Sequence, residues 1–371
     1  MINSLPENGV DASRSILKIG GTEIDFTDWD TSHSGIMEAG HFRASINAPF
    51  ADWPWWAQQT EILVDVYAGT PKDPLNYTTD DLTMIMTARC DSIELDPETN
   101  RITISGRDMT SLLIDNKTTD KWQNLTSSQI AQQIAVKWGM ESNITATTQT
   151  VGTFYTADHV VLAKSDTYWN ILTYLAQRES TASNPFMCFV LGKTLYFGNF
   201  AAKYSNDPYV ITFDGSGNVP VANASQLRFT RDLTLAQDIS VTVRSYHGNL
   251  AAAFSATATA SKQGRHIEKT AGLVQTTQHY EFTVPGLTQP QCALKAQSIL
   301  AELSKHELKM SANLPFDAVL YPWVPIQVTG TNTPWDATYT PQTISRRFSK
   351  DRVSMQVGAK TGIPQQKVSL S

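Results

Sequence analysis

One stretch, Arg101–Asn116 (RITISGRDMTSLLIDN), constrains the fold more than any other part of the chain. Ile102 and Ile104 alternate with polar residues, and this period of two predicts a strand with one buried face. Asp108 is then predicted to cap a short helix that has one apolar side. Because strands and turns precede this stretch and a helix follows it, we predict a boundary here between a first β domain and the rest.

The 371 residues are enough for three domains, each with its own core. The predicted fold class is α+β and mainly β, with a first β domain at residues 1–116, a small α+β domain at 117–223 and a second β domain at 224–371. No apolar run is long enough to cross a bilayer, so no membrane-spanning segment is predicted. The three cysteines lie far apart in the sequence and are predicted to be buried thiols.

The first domain contains several β-type segments separated by turn signals, which is typical of a barrel or a sandwich. An insertion at Pro49–Trp56 (PFADWPWW) concentrates three tryptophans, Trp53, Trp55 and Trp56. Such a segment is suited to binding a sugar or a protein partner, and equally to closing one end of a barrel. A plug or a protein contact is the favoured interpretation, because a sugar platform needs polar partners that the sequence does not place.

The middle and last domains show helical signals. Thr126–Gln129 resembles a capping box before one helix, and Asp166 is predicted to cap a second helix. Two strands after them form a predicted hairpin that turns at Gly192-Lys193. In the last domain, Gln289–Leu308 is the longest predicted helix, inserted among strands. Residues 250–270, rich in Ala, Ser and Thr, are interpreted as an extended arm or a flexible insertion.

Charge is distributed unevenly along the chain. Residues 1–116 carry a net charge of −12 and residues 224–371 a net charge of +6, within a total of −6. Scattered surface charge is one explanation. The functional alternative is a head-to-tail contact, in which the acidic part of one copy faces the basic part of the next. The last domain has only a short basic cluster, which includes Arg346, Arg347 and Arg352, so free nucleic-acid binding is disfavoured.

Motifs for catalysis are missing from the sequence. It contains no HExxH, no P-loop, no GxGxxG after a strand and no GxSxG elbow, and His33 and His41 are poorly spaced for a metal. We therefore predict no catalytic residues, no metal site and no cofactor. The paired carboxylates of a glycosidase lie far apart in sequence and have no local signature, so this class stays open.

The order of these segments resembles a known family. A strand followed by SGRDMTSLLID, then LTSSQIAQQIAVKWGM, then SDTYWNILTYLAQRES with a hairpin, is similar to the tail hub proteins of contractile-tailed phages, the late-control-protein-D type. The N-terminal half of type VI secretion spike proteins is similar to that family as well. The resemblance covers roughly residues 15–360, and we expect the spike or a cell-wall enzyme to be a separate chain.

The resemblance implies a trimeric, pseudo-hexameric ring in which two barrel-like domains per chain alternate around the axis. Such a ring joins a sixfold tail tube to a threefold central spike, contacts other baseplate proteins and lets DNA pass. It would be assembled in the bacterial host cytoplasm and belong to the virion tail. On this basis the candidate interface residues are Arg346, Arg347, Arg352, Trp53, Trp55 and Trp56. Alternatives are the hub of a type VI, extracellular contractile or non-contractile system, or a carbohydrate-binding or carbohydrate-active protein that uses Trp53–Trp56.

Overall fold

The computed structural model describes residues 13–35, 37–120, 122, 124–148, 150–151, 166–181, 184–200, 207–217, 220–233, 239–247, 252–261, 277–284, 286–349, 352–361 and 367–370. Strands dominate these residues and helices are few, which confirms the predicted class of a mainly β, α+β protein. Two groups of mostly antiparallel strands, here called the first and second β modules, enclose separate hydrophobic clusters.

The first β module has seven strands: β1 (Arg14–Ile19), β2 (Thr22–Glu23), β3 (Asp28–Ser34), β4 (His41–Asn47), β5 (Leu63–Gly69), β6 (Thr83–Asp96) and β7 (Arg101–Asp108). Helix α1 (Trp53–Gln58) follows a 3₁₀ turn at Phe50–Asp52, and a second 3₁₀ turn lies at Thr79–Asp81. All neighbours are antiparallel in the order β2-β1-β5-β6-β7-β4-β3. Their buried side chains form one cluster.

Strand β7 has the alternating burial that its sequence predicts, with Ile102 and Ile104 buried. Gly106 faces a bulge in β6, where a Cβ atom would overlap the Arg89 carbonyl oxygen, so only glycine fits. The predicted cap is wrong in its details. The next helix begins at Thr110, and Asp108 instead accepts hydrogen bonds from the backbone N–H groups of Thr110, at 3.0 Å, and of Gly40, at 2.8 Å.

The small α+β region starts with α2 (Thr110–Asp115), β8 (Lys117–Thr118), β9 (Leu125–Thr126) and α3 (Ser127–Lys137), and continues with β10 (Glu141–Ile144), β11 (Thr150–Val151), β12 (Asp166–Thr167), α4 (Tyr168–Glu179), β13 (Met187–Leu191) and β14 (Thr194–Gly198). The capping box is confirmed, because Thr126 and Gln129 exchange hydrogen bonds at 3.3 and 2.9 Å. The cap of α4 is Thr167 rather than the predicted Asp166. The hairpin of β13 and β14 is confirmed.

The rest of the chain begins with β15 (Tyr209–Asp214), β16 (Val221–Ala222) and β17 (Ser225–Arg231). An inserted unit follows, with β18 (Ile239–His247), β19 (Ala252–Ser261), β20 (Gln278–Thr283) and α5 (Gln289–Ser304). The chain then forms β21 (Leu308–Leu314), β22 (Ile326–Thr329), β23 (Thr338–Ser349) and β24 (Val353–Thr361), and returns to the inserted sheet as β25 (Lys367–Leu370).

The last region therefore has two hydrophobic clusters, where the sequence predicts one barrel-like domain with an inserted helix. Helix α5 packs on its own sheet, of order β20-β18-β19-β25. The second β module, made of β15–β17 and β21–β24, forms a separate cluster. Within residues 250–270, the part that the structure describes, Ala252–Ser261, is the regular strand β19 rather than a flexible insertion. The remaining residues of that predicted arm lie outside the described residues.

The two β modules share backbone hydrogen bonds. Strand β3 of the first module pairs antiparallel with β23 of the second, from Asp28 opposite Ser349 to Ser34 opposite Thr343. This pairing continues a single fourteen-stranded sheet through both modules. The acidic first part and the basic last part of the chain thus meet within one copy.

Candidate assembly surface

The tryptophan-rich insertion presents two aromatic side chains to solvent. Phe50 is 75% exposed and Trp55 is 48% exposed, whereas Trp56 is only 6% exposed and belongs to the first hydrophobic cluster. Trp53 packs against the same cluster and donates a hydrogen bond from Nε1 to the Ala48 carbonyl oxygen at 3.0 Å. We call the exposed pair, Phe50 and Trp55, the aromatic knob.

The buried tryptophans hold the aromatic knob in place. The rings of Phe50 and Trp53 meet edge to face with centroids 4.9 Å apart, and those of Trp55 and Trp56 do so at the same distance. Pro54 lies in the first turn of α1, where its fixed φ suits the start of a helix. Because these contacts already order the segment, a partner that binds it loses little free energy to further ordering. The knob is therefore suited to act as a rigid binding anchor.

Exposed carboxylates lie on the insertion and on the neighbouring β6–β7 connection. Asp52 is exposed within the insertion, Asp96 at the end of β6, and Glu98 in the turn that follows. The Ala48 N–H donates to the Asn100 carbonyl oxygen at 3.0 Å and so ties this turn to the start of the insertion. The Asp96 carboxylate accepts from the Thr99 hydroxyl and the Glu98 N–H, and these bonds hold its pKa below the ordinary value. We call Asp52, Asp96 and Glu98 the acidic rim.

Arg346 lies in a different environment from the one predicted. Its side chain is fully buried, and it donates hydrogen bonds to the carbonyl oxygens of Asp317, at 3.4 Å from Nε, and of Leu320. Its guanidinium carbon lies 5.3 Å from the centre of the Tyr321 ring. A buried side chain with these contacts is not available to a second subunit, so the prediction that Arg346 is an exposed interface residue is wrong. The same holds for Trp56.

The segment that Arg346 holds is the junction loop, residues 315–325. Phe316 belongs to the cluster of the first β module, whereas Tyr321 and Trp323 belong to that of the second. The Tyr321 hydroxyl donates to the Met84 carbonyl oxygen in β6 at 3.0 Å. The loop thus contributes side chains to both hydrophobic clusters, and Arg346 binds its carbonyl oxygens.

Next to Arg346 lies His33, which is half-buried and has its Nδ1 atom enclosed. Burial, together with the nearby Arg346 charge, lowers the pKa of His33 to about 3, so the imidazole is neutral at pH 7. Its ring meets that of Tyr321 edge to face with centroids 5.8 Å apart. Among the described residues, neither His33 Nδ1 nor Arg346 Nη1 has a hydrogen-bond partner. His33, in β3, thereby adds a pH-sensitive group to the contact between the modules.

Arg347 and Arg352 are exposed, and their interface role stays a prediction. Arg347 is the register partner of Asp30 in β3, and its charge, with that of Arg43, opposes the rise in the Asp30 pKa that burial causes. Part of the predicted pairing between acidic and basic residues is therefore made within one chain. Arg352 lines a cleft of about 770 Å³ between the modules, together with Arg14, Glu23 and Asp25.

The described residues offer few candidates for a metal site, a membrane-spanning helix or a reactive cysteine. Within the part of the chain that the structure describes, His, Cys, Asp and Glu side chains form no group of three or more placed to hold a metal ion. No helix among the described residues has the length and apolar character needed to cross a membrane. All three cysteines are free, and burial beside Asp91 raises the pKa of Cys90 to about 12. The Cys90 thiol is therefore protonated and weakly reactive at neutral pH.

Sequence reasoning missed Phe50, the most exposed aromatic side chain of the insertion. The signal was available, since Phe50 stands in the same segment as the three tryptophans. It also missed the burial of Arg346, although Ile344, Arg346 and Phe348 alternate as the inward residues of one strand.

Comparison with solved structures places this fold among phage tail proteins. The tail protein from Neisseria meningitidis MC58 aligns with a TM-score of 0.66 and 14% identity, over 94% of this chain and 96% of that one. The 43 kDa tail protein of prophage MuSo2 from Shewanella oneidensis aligns with a TM-score of 0.58 and 12% identity, over 94% and 98% of the two chains. The resemblance to tail hub proteins is therefore confirmed at the level of the fold.

A secretion protein shares the fold as well. The E. coli c3393 protein, a component of the type VI secretion system with structural similarity to T4 bacteriophage tail proteins gp27 and gp5, aligns with a TM-score of 0.51 and 10% identity. The alignment covers 93% of this chain and 76% of that one. No protein-family model matches the sequence, and no curated protein sequence matches it. Identities this low establish the common fold, not a common activity.

Proposed function

We propose that this protein is a structural hub of a phage tail baseplate, not an enzyme. Three copies form a ring that joins the sixfold tail tube to the threefold central spike, contacts other baseplate proteins and lets DNA pass through its centre. The observation that carries the proposal is the pair of β modules joined through β3 and β23 in one chain. Three copies supply six β modules, the number that a sixfold tube requires.

The interface residues proposed for this ring are those that a neighbour can reach. Trp55, Arg347 and Arg352 are exposed, and Trp53 supports the segment that carries Trp55. The acidic surface of residues 1–116 then faces the basic surface of residues 224–371 of the next copy. Contacts between exposed charges weaken with ionic strength, so assembly through them should weaken in high salt.

A second candidate is the corresponding hub of a type VI secretion system, since the E. coli component of such a system shares the fold. The identity of the genes next to this one distinguishes the two candidates. A carbohydrate-binding role for Trp53–Trp56 is less well supported. Trp56 is buried and the Nε1 of Trp53 is bonded to the backbone, which leaves Trp55 as the one freely exposed indole of the three.

The decisive experiment measures the mass of the purified protein by light scattering. A ring of three 41.0 kDa chains has a mass of about 123 kDa, and images of it should show six similar lobes. Charge reversal of Arg347 and Arg352 to Glu should lower the trimer fraction most strongly at low salt. A monomer at all concentrations, or turnover of a glycan substrate, would contradict the proposal. Arg346 is unsuitable for this test because its replacement disrupts the core.

A further inference from the structure

The aromatic knob lacks a cover within its own chain. Phe50 and Trp55 are exposed although the contacts of Trp53 and Trp56 hold their segment in place. The acidic rim adds exposed carboxylates on the same insertion and on the β6–β7 connection that is hydrogen-bonded to its start. Rigid aromatic side chains on a surface with one sign of charge are suited to a partner with an apolar contact point and the opposite charge.

The second β module has such a surface, with exposed cations and an exposed apolar side chain near one of its edges. Strand β17 pairs with β21 and, among the described residues, with no other strand, so it forms an edge of the second β module. Arg228 on β17 and Lys309 on β21 are exposed, and neither has an ion-pair partner among the described residues. Leu233, just beyond β17, is 70% exposed. We call Arg228, Lys309 and Leu233 the basic flank.

Within one copy, the acidic rim and the basic flank lie far apart along the sheet. Six strands, β7, β4, β3, β23, β24 and β21, separate β6, which leads into the acidic rim, from β17. Neighbouring strands are about 4.8 Å apart, so this path measures roughly 34 Å along the curved sheet. Two unlike, complementary surfaces at separate places on one chain produce a head-to-tail contact between copies.

We infer that the aromatic knob and acidic rim of one copy dock on the basic flank of the next. The inference rests on the proposed ring and assigns its subunit contact to specific residues. Phe50 and Trp55 contact the surface at Leu233, while the carboxylates of Asp96 and Glu98 pair with Arg228 and Lys309. Docking covers the exposed aromatic side chains, which no part of their own chain covers among the described residues.

A charge-swap series measured by sedimentation tests the contact. The double variant Asp96→Lys/Glu98→Lys and the double variant Arg228→Glu/Lys309→Glu should each raise the concentration needed for trimers by about tenfold. The quadruple variant, with opposite charges facing again, should return to within about threefold of the wild type. Trp55→Ala should raise it by about tenfold or more. Lys193→Glu and Leu75→Ala, exposed changes elsewhere, are the matched controls.

Cross-linking locates the contact directly. A photoreactive phenylalanine analogue at position 55, in a mixture of isotope-labelled and unlabelled copies, should link to the peptides of β17 or β21 in another copy. If the wild type is a trimer but position 55 links elsewhere, or the quadruple variant shows no recovery, the docking inference is wrong while the ring stands. A glycan that binds at Trp55 without any effect on mass would also overturn it. A wild-type monomer instead refutes the ring itself.

Discussion

Two segments of this chain have nearly the same composition and different surroundings. The insertion at residues 49–56 and the junction loop at residues 315–325 both combine prolines with aromatic residues. In the junction loop, Tyr321 and Trp323 are buried in the hydrophobic cluster of the second β module. In the insertion, Phe50 and Trp55 remain exposed.

The two segments differ because other parts of the chain pack against the aromatic rings of the junction loop. The rings of Trp323 and Phe189 stack with centroids 3.9 Å apart, and those of Tyr321 and Trp323 stack at 4.7 Å. The junction loop is therefore part of the intrachain core. The aromatic knob also consists of aromatic side chains, but they are exposed, so we expect it to contribute to binding rather than to stability. Stability measurements on the isolated chain should separate the two roles.

The largest effect is expected at Trp323. Trp323→Ala removes a buried indole that stacks on two rings, and it should lower the free energy of unfolding by about 3–5 kcal/mol. Urea denaturation followed by far-UV circular dichroism, at one fixed protein concentration, measures this loss. An effect below about 1 kcal/mol would break the comparison, since it would make the junction loop as dispensable to the fold as an exposed segment.

Arg346 should come next. Arg346→Ala removes the donor to two loop carbonyls and leaves the fully buried Asp317 without its nearby cation, at an expected cost of about 3 kcal/mol. Arg347→Ala, one residue away on the exposed face, is the matched control and should change stability by less than about 0.5 kcal/mol. Equal losses for both variants in urea denaturation would show that the burial of Arg346 contributes nothing specific.

His33 gives the module contact a pH dependence. Its pKa in the folded protein is about 3, below the ordinary histidine value of 6.5, so the unfolded chain binds more protons between these values and stability falls as the pH falls. From pH 7 to pH 5 this histidine should cost about 2 kcal/mol. His33→Gln should remove that part of the acid sensitivity. Parallel pH profiles for wild type and variant, measured by urea denaturation, would contradict this assignment.

The smallest effect is expected at Trp55. Trp55→Ala should lower the free energy of unfolding of the isolated chain by only about 1 kcal/mol, because half of the side chain is already in water and the rest makes one edge-to-face contact with Trp56. Its neighbour Trp56 is buried, and Trp56→Ala should cost about 3 kcal/mol. A loss at Trp55 as large as that at Trp56 would make the aromatic knob a structural element rather than a binding surface.

Much of the fold was accessible from local sequence. The alternation in β7, the capping box of α3 and the hairpin of β13 and β14 depend on residues a few positions apart, and all three predictions are confirmed. Errors of one residue arose at two helix starts: Met109 rather than Asp108 holds the cap position of α2, although Asp108 accepts from the Thr110 N–H, and Thr167 rather than Asp166 caps α4. The candidate interface was only partly accessible, because exposure depends on distant packing.

By itself, the sequence determined the mainly β class, the capping box of α3 and the unequal charge of the two ends. These follow from composition and from patterns that repeat within one element. Only the tertiary structure decided that Arg346 is enclosed while Arg347 faces solvent, that α5 brings a sheet of its own, and that β3 joins β23. The reason is physical: whether a side chain is buried depends on the strand or loop that packs against it, and here that partner is often hundreds of residues away in the chain.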